Sequence, residues 1–76
     1  MSSNLSNNPD YIISNVILEQ KGLFSLNDIL EKVKGALLSL FEDNISRLID
    51  FINGKITELC DTRLVSSTGF YYYVND

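Results

Sequence analysis

At 76 residues the chain has room for one domain with one hydrophobic core, and its 45% hydrophobic residues indicate a folded protein rather than a disordered one. The net charge of −4 argues against an uncomplicated nucleic-acid binder, because phosphate contacts need clustered lysine and arginine. Histidine is absent, which removes the commonest general base and metal ligand, so we expect a protein that is not an enzyme and has no metal or cofactor.

The amino-terminal segment, residues 1–8, is rich in serine and asparagine. It lacks the basic start and apolar run of a signal peptide, so we expect a flexible tail followed by a single domain over residues 9–76. No 18 apolar residues run together as a membrane span requires, and the lone Cys60 suits a reducing compartment. We therefore expect a cytoplasmic protein without a membrane partner. A core this small also makes a stabilising dimer contact plausible on energetic grounds.

The first predicted helix covers residues 9–21. Asn8-Pro9-Asp10 combines a capping side chain, a proline suited to the first helical position and a carboxylate near the positive helix end. Lys21 in the last turn and Gly22 beyond it predict the end of the helix. Tyr11 and Leu18 widen an apolar stripe made of Ile12, Ile13, Val16 and Ile17. The helix is therefore either central to the core or shared with a second copy of the chain.

The second predicted helix starts at Ser25, which forms a capping-box pattern with Asp28. We also expect Asp28 to pair with Lys32 one turn later. Its apolar stripe recurs at steps of three and four residues: Leu26, Ile29, Leu30, Val33, Leu37 and Leu40.

The third predicted helix runs over residues 43–61, with a stripe of the same spacing: Ile45, Leu48, Ile49, Ile52, Ile56 and Leu59. The turn before it lies within residues 38–44, where Ser39 with Glu42, or Asp43 alone, is expected to cap the helix. Gly54 following Asn53 is an alternative end of this helix, because glycine in a helix interior costs about 1 kcal/mol relative to alanine.

Residues 62–76 predict a β-hairpin. Leu64-Val65 starts it, Ser66–Gly69 forms the turn with Gly69 supplying a positive φ, and Phe70–Val74 forms the second strand. Phe70, Tyr72 and Val74 alternate with Tyr71 and Tyr73. One set should therefore face the helices and the other should face away from them.

The residues that lead into the hairpin resemble a known family. The run from Ile56 through Leu59-Cys60-Asp61-Thr62-Arg63 to Tyr71-Tyr72-Tyr73-Val74 resembles the passage from recognition helix to wing in winged helix-turn-helix proteins. Gly22-Leu23-Phe24-Ser25-Leu26 is similar to the short first strand before that family's second helix. The resemblance covers nearly all of residues 9–75, and it implies a mostly α fold with a three-helix core and a C-terminal two-stranded wing.

Two departures from the family pattern concern the wing. Many relatives have a glycine just before the strand that leads into the wing, where this chain has Arg63, and the wing tip, residues 66–69, carries no positive charge. These departures argue against base recognition by the wing.

The resemblance also implies a DNA-binding face on the third helix, with residues opposite the apolar stripe turned toward the bases of double-stranded DNA. Those residues are Ser46, Arg47, Asp50, Asn53 and Thr57. Arg47 would read guanine and Asn53 adenine, while Lys55 and Arg63 would hold phosphates. Asp50 opposes this hypothesis, and the charges within residues 44–70 cancel. A solvated helix face with paired charges is therefore an equally weighted alternative.

A rival hypothesis keeps the winged-helix shape without DNA binding. Tyr71, Tyr73, Tyr11 and Leu18 would then dock a partner chain or a second copy, since tyrosine offers apolar area with a polar tip. The resemblance leads us to predict DNA binding and transcriptional regulation as the function, with this interaction module, which the charge balance favours, as the alternative. Catalysis has little support, because Cys60 lacks a histidine partner and the adjacent Glu42 and Asp43 are interpreted as helix capping.

Overall fold

The computed structural model describes residues 8–75, so residues 1–7 of the predicted tail and Asp76 lie outside the described residues. The elements in chain order are α1 (Pro9–Leu18), α2 (Leu26–Leu37), a 3₁₀ helix (Leu38–Phe41), α3 (Ile45–Asp61), β1 (Val65–Thr68) and β2 (Tyr71–Val74). The two strands form an antiparallel hairpin after the three α-helices. The predicted fold class is confirmed, and the architecture is compatible with a winged helix.

Helix α1 begins as predicted but ends three residues early. The Asn8 side chain accepts a hydrogen bond from the Asp10 amide (2.9 Å) and caps the first turn. At the other end, the Gln20 side chain donates to the Val16 carbonyl (2.9 Å), which satisfies one of the last helical acceptors. Gly22 then takes a φ of +79°, and the chain turns toward the hairpin.

The turn after α1 brings Phe24 beside the last strand. The Phe24 amide donates to the Tyr72 carbonyl (2.9 Å), and the Tyr72 amide donates back to the Phe24 carbonyl (2.8 Å). The two rings also lie 5.8 Å apart, and Phe24 is buried. This antiparallel bridge places Phe24 beside β2 as a one-residue third strand of the sheet. The chain has to leave the helix before residue 21, because it must turn and extend to reach this position.

Helix α2 starts with the predicted capping box. The Asp28 amide donates to Ser25 Oγ (3.2 Å), while the Ser25 amide donates to Asp28 Oδ2 (2.9 Å). The predicted Asp28–Lys32 pair is absent from the described residues, because the Asp28 carboxylate serves the cap. Glu31 and Lys34 form an ion pair instead (3.2 Å).

The connection between α2 and α3 departs from the predicted pattern. Residues 38–41 wind as a 3₁₀ helix with three residues per turn, which rotates Leu40 off the core side and leaves it exposed. Its predicted place in the core stripe is therefore wrong. Glu42 and Asp43 follow with left-handed φ values of 59° and 60°.

Asn44 is the residue that caps α3. Its Oδ1 atom accepts from the Ser46 and Arg47 amides at 3.1 and 3.3 Å. The predicted cap by Ser39 with Glu42, or by Asp43, is wrong, because residues 42 and 43 lie in the left-handed turn before the helix. The helix starts at Ile45, which is exposed rather than part of the core, and it runs unbroken through Gly54.

The core lies where the three α-helices meet under the hairpin. Helix α2 packs against both α1 and α3, and α3 also packs against β1. Most of the apolar positions predicted for the three helical stripes are buried. Phe24, before α2, and Val65, in β1, are buried with them. The core residues are Ile13, Ile17, Phe24, Ile29, Leu30, Val33, Leu37, Leu48, Ile52, Ile56, Leu59 and Val65.

Helix α3 ends in a Schellman motif that feeds the hairpin. The Leu64 amide donates to the Leu59 carbonyl (3.0 Å), and the Arg63 amide donates to the Cys60 carbonyl (3.1 Å). Arg63 takes a φ of 69° at the position that glycine usually occupies in this motif. The glycine that the resemblance leads one to expect is thus replaced by a residue with a Cβ in a left-handed conformation.

The hairpin turn is shorter and later than predicted. Ser66–Thr68 belong to β1, where Thr68 pairs with Tyr71, so the turn consists of Gly69 and Phe70. Gly69 has the expected positive φ (63°). Phe70, which the alternation grouped with Tyr72 and Val74, is 91% exposed because it occupies the turn. The remaining alternation is confirmed, since Tyr72 and Val74 pack on the core while Tyr71 and Tyr73 are exposed.

Candidate functional site

The polar face of α3 carries the residues predicted to meet DNA. Their side chains are exposed and lie on the helix side away from the core. These residues are Ser46, Arg47, Asp50, Asn53 and Thr57. The structure thus brings them onto one surface, as the helical spacing requires.

Arg47 on this face is already engaged. Its Nη1 atom donates to Glu42 Oε1 at 3.0 Å, and both side chains are well exposed. Arg47 and Asp50 also line a shallow depression with Phe41 and Phe51. An exposed ion pair is weak, yet it places a carboxylate beside the only predicted base-reading cation. The electrostatic contribution of this face to phosphate binding is correspondingly small.

Lys55 does not lie at an exposed edge, which corrects its predicted role as a phosphate contact. The residue is 8% exposed, and its Nζ atom forms ion pairs with Asp10 and with Glu58 (3.1 Å to the latter). The hydrogen bond to Asp10 raises the pKa of Lys55 above its usual value of 10.5, against the opposing effect of burial. Lys55 therefore joins the first turn of α1 to the middle of α3.

Arg63 is exposed and forms no ion pair within residues 8–75. Its position between α3 and β1 agrees with the predicted edge location. Among the cations predicted to contact DNA, Arg63 alone is unpaired within residues 8–75, which is little charge for a protein that binds DNA through several phosphates.

The outward face of the hairpin forms a second surface with a different character. In β2, side chains alternate between the core and solvent, and Tyr71 (49% exposed) and Tyr73 (40% exposed) point outward. The register places Thr68 opposite Tyr71 and Ser66 opposite Tyr73. These four side chains therefore share one face of the sheet.

Two leucines extend this face on either side. Leu23 precedes Phe24, which is inward and paired with Tyr72, so alternation places Leu23 outward beside Tyr73. Leu64 precedes the buried Val65, and its carbonyl accepts from the Asn75 amide (2.9 Å), which continues the ladder. We call this surface the tyrosine face, comprising Leu23, Leu64, Ser66, Thr68, Tyr71 and Tyr73.

The open end of the hairpin is held by Asn75. Its Nδ2 atom donates to the Arg63 carbonyl and to Ser66 Oγ, both at 2.9 Å. These bonds fix the second strand against the end of α3. The tyrosine face is therefore a supported surface rather than the side of an isolated two-stranded ribbon, which is marginally stable in water.

Tyr11 and Leu18, the other predicted interface residues, occupy opposite ends of α1. Leu18 lines a groove together with Val74 of β2, so it lies close to the hairpin. Tyr11 is 48% exposed and sits in the first turn, next to the Asp10 that pairs with Lys55. The sequence grouped Tyr11 with the hairpin tyrosines, but Tyr11 lies on α1 whereas Tyr71 and Tyr73 lie on β2.

Sequence reasoning missed Leu23 and Leu64 as parts of this surface. In the sequence, Leu23 is recognised only as part of the segment before α2 that resembles the family's short first strand, because its neighbour on the sheet comes from the other end of the chain. The available signal was the alternation with Phe24, which indicates that if Phe24 is buried then Leu23 faces outward.

The groups available for covalent chemistry are few. Burial raises the pKa of the Cys60 thiol, and the nearby Asp61 charge adds to this effect, so the reactive thiolate is disfavoured. Within residues 8–75, no cluster of three cysteine or carboxylate side chains could hold a metal ion. None of the described helices is long and apolar enough to cross a membrane.

No protein-family model, curated protein or solved structure matches this chain. Function must therefore be argued from the two surfaces themselves.

Proposed function

We propose that this chain is a non-enzymatic protein-interaction module that binds another polypeptide through the tyrosine face. The observation that carries the proposal is the composition of the hairpin. Residues 64–75 contain no charged side chain, although charged residues make up 21% of the chain. The cores of protein interfaces are depleted in charge and enriched in tyrosine, phenylalanine and other aromatic residues.

The energetic argument is the cost of leaving this surface in water. Two tyrosines and two leucines on one face are each exposed to at least two fifths of their full extent. Burying apolar area contributes roughly 25 cal/mol per Å². A partner that covers the face would gain this energy without removing any charge from water, which is the most expensive part of forming an interface.

DNA binding through α3 remains the second candidate, and the exposed Asn53 and Arg47 on one helix face favour it. The charges weigh against it. Arg47 is paired with Glu42, and Lys55 is buried among Asp10 and Glu58. The uncharged hairpin adds no cation that would neutralise a phosphate.

A titration of random duplex DNA separates the two candidates. At about 50 mM salt, where counterion release favours binding most, we expect no detectable change in the fluorescence anisotropy of a labelled duplex. Binding that weakens steeply with added salt, and that is lost in an Arg47→Ala/Arg63→Ala double variant, would overturn the interaction proposal in favour of DNA binding. The matched control is Tyr71→Ser, which leaves both arginines in place.

A further inference from the structure

We infer that the polypeptide bound by the tyrosine face is a second copy of this chain, packed face to face about a two-fold axis. The inference rests on the proposed function and names its partner. A two-fold contact uses the same surface on both copies, so the surface must be complementary to itself. The tyrosine face meets this condition because it carries no charged side chain that would meet a like charge on the second copy.

Charge decides between a second copy and a charged partner. Each copy carries a net charge of −4, so two copies repel each other least when they meet where charge is absent. Like charges directly opposite one another oppose association, and the hairpin stretch, residues 64–75, presents none. A basic or acidic partner would find no charged side chain on this surface with which to form an ion pair. Such a partner would therefore gain no electrostatic attraction by binding there.

The exposed area is sufficient for a small dimer. Phe70, Tyr71 and Tyr73 are 91%, 49% and 40% exposed. Phe70 lies in the turn and not on the tyrosine face, so the contact has to include this turn. Taking roughly 200 Å² for an aromatic side chain, Phe70 offers about half of the roughly 350 Å² that the three rings expose, and Leu23 with Leu64 bring the apolar area to about 500 Å² per copy. Two copies together reach about 1,000 Å², the lower limit for a specific protein interface.

Sheet packing provides a geometry for this contact. Two sheets that pack face to face lie about 10 Å apart, with side chains from both inner faces interdigitated. Tyr71 and Tyr73 alternate with the small side chains of Ser66 and Thr68 on the neighbouring strand. Rings of one copy can therefore lie over the small residues of the other, while the tyrosine hydroxyl groups stay near the wet rim.

The free edge of β1 is the competing route to self-association. In an antiparallel hairpin, hydrogen-bonded and non-hydrogen-bonded residue pairs alternate. Leu64 bonds to Asn75 across the hairpin, and Tyr72 bonds to Phe24 on its other side, so the backbone groups of Val65 and Ser67 point away from β2. No other described residue bonds to these groups. An edge of this kind can pair with a second strand, but two residues supply only four backbone hydrogen bonds across a two-fold axis.

The experiment is sedimentation equilibrium of the full chain over about 10 µM to 1 mM, a range that reports dissociation constants of this order. We expect a monomer–dimer equilibrium. The double variant Tyr71→Ser/Tyr73→Ser should raise the dissociation constant by roughly 30-fold or more, as expected when central aromatic residues are truncated. Tyr11→Ser is the matched control, because Tyr11 is equally exposed but lies on α1, and it should leave the constant unchanged.

Two further variants keep the test decisive if the double variant unfolds. Leu23→Lys adds a charge to the face from outside the hairpin and should weaken the dimer by a similar factor. Ser67→Pro removes an outward amide at the β1 edge and should leave the dimer intact, since proline is tolerated at strand edges. Far-UV circular dichroism establishes that each variant is folded.

The inference is overturned if the parent chain is a monomer at every concentration. It is equally overturned if Ser67→Pro dissociates the dimer while Leu23→Lys and the tyrosine variant do not, because the edge would then be the interface. Either failure leaves the interaction proposal to be judged by the DNA titration, which does not depend on self-association.

Discussion

Replacing Arg63 by glycine should stabilise the protein. Arg63 has a φ of 69°, a conformation that places the Cβ atom of an L-residue close to the following carbonyl oxygen. This contact costs roughly 1–2 kcal/mol, whereas glycine adopts the conformation without a steric penalty. The neighbouring hydrogen bonds involve only the backbone of Arg63, so the substitution removes none of them.

The expected gain is smaller than the steric cost alone. Glycine loses more conformational freedom on folding, which offsets about 0.5–1 kcal/mol of the gain. Arg63 forms no ion pair within residues 8–75, so losing its charge removes no described salt bridge. We therefore expect the free energy of unfolding to rise by about 0.5–1 kcal/mol, which corresponds to an increase in Tm of about 2–8 °C for a domain of this size.

The assay is urea unfolding followed by circular dichroism, with Arg63→Ala as the matched control. Alanine removes the same charge and side chain but keeps the Cβ atom, so Arg63→Ala should show no comparable gain. The midpoint should move while the slope with denaturant stays constant. Equal stability of the glycine and alanine variants would refute the reasoning, because the left-handed conformation would then carry no measurable cost.

Three other substitutions test separate features of the fold. Asn44→Ala should lower the free energy of unfolding by about 1 kcal/mol, because the Asn44 side chain caps two amides of α3; Asp43→Ala, which removes no cap, is the control in the same urea assay. Gly69→Ala should destabilise the chain by about 1 kcal/mol in thermal unfolding, since it forces an L-residue to a φ of 63°, and an unchanged Tm would contradict the assigned turn. Lys55→Met should cost up to about 1 kcal/mol near pH 7, because the carboxylate partners of Lys55 are more than half exposed. The raised pKa of Lys55 means that its contribution is present below pH 10.5 and is lost as pH rises through the higher folded-state pKa, so the parent should lose stability above pH 10.5 relative to Lys55→Met. Parallel pH profiles for the two proteins would show that the ion pairs contribute nothing.

Elements set by local chemistry were predictable. The Ser25–Asp28 capping box and the Asn8 cap depend on residues two or three positions apart, so they can be found without knowing the fold. The three-and-four spacing of apolar residues in α2 and α3 likewise identifies the core side of each helix.

Errors arose where distant parts of the chain meet or where the local signal was ambiguous. Helix α1 ends at Leu18 because Phe24 must reach Tyr72, a neighbour supplied 48 positions later in the chain. Lys55 looked like an exposed phosphate contact, but Asp10 on α1 pairs with it and the packing of the helices buries it. The α3 cap was misplaced because Ser39, Asp43 and Asn44 are all acceptable N-cap residues in sequence.

The candidate surface was predicted in part. Alternation within Phe70–Val74 correctly separated Tyr71 and Tyr73 from Tyr72 and Val74. It did not reveal Leu23 or Leu64, and it grouped Phe70 with Tyr72 and Val74, because the predicted turn ended at Gly69 whereas the observed turn includes Phe70.

Residue order alone determined that this chain forms three amphipathic helices and a terminal hairpin, because helix capping and apolar periodicity act within a few residues. Tertiary structure decided which charged side chains are free to contact a ligand and which apolar side chains share a surface. Burial and ion pairing depend on what packs opposite a residue, and for Lys55 and Leu23 those neighbours lie 45 and about 50 positions away in the chain.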